Sequence, residues 1–175
     1  MTKAHEEASR LLRTARLAQP PVPVERLARE AGALISYQPF EADDISGLLY
    51  RAVGAAPVIG VNSTNSKVRQ RFTIAHELGH LLLHKGNGLI FERHVRLNFR
   101  DATSSTATDS EEIDANEFAA ELLMPEDLLK KALDAILAGR HLSDSELVAR
   151  LARRFEVSQQ AMTFRLATLG ILTIA

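Results

Sequence analysis

The sequence predicts an α+β fold in which a small, three-stranded, twisted sheet packs on one long helix and a helical part follows. Three observations carry that reading. Short runs rich in Ile, Leu, Val and Tyr (Ala33–Gln38, Ile45–Arg51 and Pro57–Asn62) are separated by Gly, Pro and Asp, as strands are. Directly after them, FTIAHELGHLLLH has its apolar residues at helical spacing. From Asp109 onward the chain reads as helix punctuated by Pro and Gly.

Element by element, residues 4–18 place Ala4, Ala8, Leu11, Leu12 and Ala15 at helical intervals, and the Pro20-Pro21-Val22-Pro23 segment ends that helix. A shorter helix, Val24 to Ala31, stops at Gly32, the residue type that adopts a left-handed C-cap without steric cost. The three strand runs are expected to pair antiparallel. The long helix runs from about Ser66 to His84. Residues 85–110, with Gly86, Gly88 and the polar stretch DATSSTATDS, cannot bury much and read as a mobile loop, either a surface excursion or a lid. EEIDANEFAAELLM is helical, Pro125 starts the next helix and Gly139 closes it. Ser143 with Glu146 is a capping-box pair for a helix over 144–154, and a last helix runs from Ser158 to Leu169.

The bulk numbers narrow the function classes. The 175 residues are enough for one domain with a small appendage, and 46% hydrophobic content is ample for a core. The division expected is 1–140 for the main domain, N-terminal helices included, and 141–175 for a helical extension packed on its core. A formal net charge of −1 provides no overall basic field for nucleic acid. With no cysteine, disulfides are excluded and any metal must be held by His and carboxylate. The N-terminus lacks the apolar core of a signal peptide, and no apolar stretch is long enough to span a bilayer, so a cytoplasmic protein is expected.

The chemistry concentrates in residues 76–80, His-Glu-Leu-Gly-His. Successive helical residues step by about 100°, so His76 and His80 return to one face and can aim at one point. That is half of a tetrahedral zinc site. Glu77 is placed to reach a water on such a metal and take its proton, as general base. Two histidines on a helix can also be plain surface residues. Here they sit among Phe72, Ile74, Ala75, Leu78, Leu81, Leu82 and Leu83, and a buried helix does not carry His, Glu and His unless something satisfies them. Gly79, a poor helix former, points to a close approach by backbone or substrate.

A third ligand must be His, Asp or Glu. His84 lies a further i+4 step along the axis, too far to share the metal with both histidines, and suits a supporting or structural role. His94 falls in the irregular region, and His5 and His141 on distant segments. The acidic stretch 110–121 offers Glu111, Glu112, Asp114, Glu117 and Glu121. Ala115, Ala119, Ala120 and Leu122 mark its buried face. Glu112 shares that face as the candidate ligand, with Asn116 one turn on to accept a hydrogen bond from a ligand imidazole. Asp114 and Glu117 are expected to face solvent, and Glu121 is the main rival to Glu112.

These residues resemble a known family. RFTIAHELGHLLLH, followed by EIDANEFAAELLMP and preceded by ISGLLYRAVGAAPVIGVN, is similar to the ImmA/IrrE metallo-endopeptidases over roughly residues 45–130. The resemblance implies a minimal zincin-like domain with zinc on His76, His80 and Glu112 and with Glu77 as general base. It further implies cleavage of a helix-turn-helix repressor or antitoxin-like partner, and thereby control of mobile-element or stress-response genes. Many members carry their own N-terminal helix-turn-helix domain, for which this chain has no room ahead of the sheet; a stand-alone form with a separate DNA-binding partner is expected.

Within that reading, Pro57–Asn62 would be the sheet edge to which an extended substrate adds. Tyr37, Tyr50, His84 and His94 are the candidates for a further donor to the oxyanion. LARRFEVSQQAMTFRLATLGIL also has the outline of a helix-turn-helix, with Arg150, Arg153, Arg154 and Arg165 available to phosphates. The alternative function is therefore a DNA-binding regulator working through 144–169, or a partner-binding one, that uses the fold as a sensor without proteolysis. The intact Glu77 argues against an inactive domain. Manganese or iron would suit the same ligands less well than zinc.

Overall fold

The three strand runs form a sheet, as the sequence predicts, but its connectivity differs. A computed structural model describes residues 2–40, 45–84, 88–93, 107–138 and 142–173, with the backbone alone for 88–93 and 107–109. Helices α1 (Lys3–Ala15) and α2 (Val24–Glu30) precede strands β1 (Leu34–Gln38), β2 (Ile45–Arg51) and β3 (Val58–Asn62). The long helix α3 (Lys67–Leu83) follows, then β4 (Gly88–Arg93), α4 (Ala107–Leu123), α5 (Glu126–Leu137), α6 (Asp144–Phe155) and α7 (Gln159–Thr168).

The sheet order is β1-β3-β2-β4. β2 pairs antiparallel with both β3 and β4, whereas β1 runs parallel to β3, so the sheet is mixed rather than wholly antiparallel. Inserting β2 between β1 and β3 in sequence, but beside β3 in space, provides the crossover that a parallel pair needs. β4 lies inside the segment read as irregular. Its apolar run is too short to display an alternation, and pairing with β2 is what makes it a strand. The rest of that segment, 85–87 and 94–106, lies outside the described residues, as do His94, Gly139 and His141.

One face of the sheet, with Leu49, Ile59 and Val61 fully buried, shares a continuous core with Ile74, Ala75 and Leu78 of α3. Ser66 caps α3, its hydroxyl accepting from the Arg69 amide. The second layer is α4, which contributes the buried Phe118, Ala119 and Leu122. The two helices meet closely at Gly79, where a Cβ would lie 3.1 Å from the Ala115 Cα and 3.1 Å from Phe118 Cδ1. The glycine exists for that approach. Gly79→Val is expected to cost about 1–3 kcal/mol by overpacking, read from the urea midpoint. Gly79→Ala, which gains about 1 kcal/mol of helix propensity against the same crowding, should lie near neutral.

The C-terminal helices begin as the sequence predicts. Ser143 and Glu146 form the reciprocal capping box of α6, and Ser158 caps α7. Leu151, Phe155, Met162 and Leu166 are buried in the same core cluster as Leu78 and Phe118. No helix among the described residues is long and apolar enough to cross a membrane.

Candidate metal centre

α3 and α4 bring three donors to one point. His76 Nε2 and His80 Nε2 are 3.0 Å apart, and the Glu112 carboxylate oxygens lie 3.2 Å from the first and 3.1 Å from the second. Three ligands bonded at about 2.0–2.1 Å in a tetrahedron are separated by about 3.3 Å, so this triangle has the size that a metal ion requires. Among the described residues this is the group of His and carboxylate side chains that could hold a metal. Both imidazoles are buried while Glu112 is 37% exposed, so the centre opens to solvent on the Glu112 side.

The electrostatics fit a cation. Burial acts to raise the Glu112 pKa, but the hydrogen bonds and charge interactions of His76 and His80 outweigh it and hold the carboxyl well below its ordinary range. Glu112 is therefore an anion at neutral pH. His76 Nδ1 lies 3.1 Å from Asn116 Oδ1, a pure acceptor, so Nδ1 carries a proton, and an ion in the triangle would meet His76 through Nε2 in place of the proton that Nε2 otherwise shares with Glu112. Glu77, fully buried, follows His76 on α3.

Around this triangle the structure departs from the helical-face argument. α3 ends at Leu83, and His84 leaves it with extended backbone (φ −113°, ψ 139°). Its ring turns back onto His80, with the two Nδ1 atoms 3.1 Å apart. Arg51 of β2 stabilises that end by donating to the His84 carbonyl at 2.6 Å and the His80 carbonyl at 2.9 Å. Lys3 of α1 does the same for the Leu83 carbonyl. The Leu83 carbonyl is among those a helix leaves orphaned at its C-terminus, whereas the His80 carbonyl also accepts from the His84 amide at 3.2 Å. Burial, then the neighbouring His80, push the His84 pKa down. Asp114, expected to face solvent, has its Oδ2 3.7 Å from His84 Nε2, and Glu117 accepts from the Thr2 hydroxyl at 2.6 Å. Nothing in the sequence marks Arg51. For His84 the signal was the third histidine at i+4, but no Gly or Pro sits where the helix stops.

Glu121, the rival ligand, is engaged elsewhere. It is buried, hydrogen-bonded by Arg165 and 3.2 Å from His5 Nδ1. Arg165 also donates to the Met124 carbonyl at 3.0 Å. This removes one of the four arginines that a phosphate contact would use. Of the candidate oxyanion donors, Tyr37 gives its hydroxyl to Glu25 and Tyr50 lies exposed on the face of the sheet opposite Leu49. β3, read as the edge for substrate, is flanked on both sides; the edges of the described sheet are β1 and β4.

Comparison with known proteins places the chain in a family. A peptidase family model described as the IrrE N-terminal-like domain matches residues 28–167. The chain belongs to that family. The IrrE-like match spans the sheet, α3, α4 and most of the C-terminal helices. One relative, the radiation response metalloprotease IrrE of Deinococcus radiodurans, is 34% identical over 110 residues. That alignment takes in 62% of this chain but 30% of the relative, so the chain corresponds to less than a third of that protein's length. A solved structure described as a Mycobacterium tuberculosis transcriptional regulator superposes with a TM-score of 0.64 at 17% identity. It covers 95% of this chain and 47% of that one, and at such identity the likeness concerns the fold. The fold is the small, zincin-like α+β domain with helical C-terminus, and the family is one of metallopeptidase-type regulatory proteins.

Proposed function

We propose that the chain is a zinc-dependent endopeptidase, acting in the cytoplasm on a regulatory protein, most simply a helix-turn-helix repressor or antitoxin-like partner. The observation that carries this reading is the triangle of His76, His80 and Glu112, with donor atoms 3.0–3.2 Å apart and Glu77 buried on the same helix. In that reading His76, His80 and Glu112 hold the ion, Glu77 is the general base, and Asn116 orients His76. Residues 1–140 form the peptidase unit and 141–175 its helical extension.

Bound there, zinc supplies the Lewis acidity that makes a water nucleophilic near neutral pH. Glu77 takes the proton of the attacking water and passes it to the departing amine nitrogen. Burial of Glu77 and of both imidazoles keeps bulk water from competing for those protons. Asn116, by accepting from His76 Nδ1, holds the ring in the tautomer that leaves Nε2 free for the ion. An extended substrate would add to β4, the outer strand of the described sheet on that side, since β3 is flanked on both sides. The alternative of DNA binding through 144–169 is weakened by the burial of Arg165 against Glu121.

The test is incubation with the protein encoded by the neighbouring gene, where that protein is of the helix-turn-helix type. Cleavage into two fragments, stopped by a chelator and restored by zinc, is the expected result. Zinc-loaded protein that leaves its neighbour intact would refute the endopeptidase reading. Independently, zinc at a hundred times its Kd should add about 2.7 kcal/mol and raise Tm by about 5–10 °C in calorimetry. An unchanged Tm would deny the site its metal.

A further inference from the structure

We infer that His84 and Asp114 form a positioning relay for His80, the counterpart of what Asn116 does for His76. The inference rests on the metal-binding reading and assigns these two residues a part in it.

Two ring nitrogens 3.1 Å apart, as His80 Nδ1 and His84 Nδ1 are, must be one donor and one acceptor. Only one choice leaves a lone pair on His80 Nε2, which faces His76 Nε2 and Glu112. His80 Nδ1 therefore donates and His84 Nδ1 accepts. His84 must then carry its own proton on Nε2, a buried atom with no hydrogen-bond partner among the described residues, which faces Asp114 Oδ2 at 3.7 Å, an ion-pair distance longer than a hydrogen bond. A carboxylate thus stands at the end of the chain of groups, and its closing onto Nε2 when the ion binds would fix the tautomer of His80 and raise its basicity.

The backbone is built to present it. Had α3 continued, His84 would have lain a further turn along the axis. Its extended conformation, with both the His80 and His84 carbonyls gripped by Arg51, folds the ring back instead. His84's side chain is 8% exposed, which restricts its rotamers, whereas Asp114 is 39% exposed and can be replaced without opening the core. Glu112, Asp114 and Asn116 then form one unit: a donor to the ion, and the two groups that set the rings beside it.

The experiment is a chelator competition that measures zinc Kd in the full chain, alongside thermal unfolding of the metal-free form. His84→Ala is expected to weaken zinc binding about 10–100-fold, together with a lower metal-free Tm from truncating a nearly buried ring. His84→Asn, whose Oδ1 can accept where Nδ1 did, should recover most of that loss, and Asp114→Ala should show a smaller loss. Zinc affinity of His84→Ala equal to that of the wild type would overturn the relay. So would an Asn variant as poor as the Ala variant, since that indicates packing alone. If His84→Ala does not fold, Asp114→Ala decides, and unchanged affinity there overturns the relay. Wild-type protein that binds no zinc would remove the metal reading itself, a result distinct from a wild type that binds and a His84 variant that binds as well.

Discussion

Glu77→Gln is expected to lower the rate of peptide cleavage by about 10²–10⁴-fold while leaving zinc content at the wild-type level. The substitution keeps the size and shape of the side chain, so the fully buried site on α3 should not repack. What changes is proton affinity: an amide cannot take a proton from the attacking water or hand it to the leaving nitrogen. Glu77 is not among the three converging donors, so ion binding should survive. The measurement is cleavage rate with zinc quantified on the same sample. A Gln variant as active as the wild type would remove Glu77 from the mechanism, whereas loss of zinc together with activity would make Glu77 a structural support instead.

Stability should respond most to Glu121. Its carboxylate and the Arg165 guanidinium are 7% and 8% exposed, and they meet between α4 and α7, with His5 of α1 on the same carboxylate. Glu121→Ala strands a cation in the interior, which costs about 3–5 kcal/mol. The double replacement Glu121→Leu with Arg165→Met removes both charges at similar volume and should recover most of that loss, because desolvation of the pair offsets much of its attraction. Urea unfolding of Glu121→Ala, of Glu121→Leu and Arg165→Met singly, and of the double variant tests this. A single-variant loss near that of an exposed pair would show that the interior admits water at Arg165. Zinc binding should hardly change in any folded variant, since Glu112 lies nine residues, or about 13 Å, back along the helix.

Glu112 and Glu121 illustrate how far helical geometry can be read without coordinates. Nine residues amount to half a turn beyond two full ones, so the two carboxylates must occupy opposite faces of α4. Periodicity alone assigns one of them to α3; it does not say what covers the other. The structure shows that other face, with Glu117 and Glu121, set against α1 and α7. Asp114 stands between faces. Its side chain stays 39% exposed, yet Oδ2 lies 3.7 Å from a ring whose position depends on where α3 stops.

The same split runs through the whole chain. The amino-acid order by itself determined the α+β class, the three strand runs, the capping box of α6 and the pairing of His76 with His80, because each depends on contacts within a few residues. Only the tertiary structure decided that β1 runs parallel to β3, that β4 makes a fourth strand, and that β1 and β4 are the outer strands of the described sheet. It also decided that His84 turns back on His80, because the signal ending α3 there is Arg51, thirty-three residues away on another element. Hydrogen bonds between distant segments leave no periodic trace in either one.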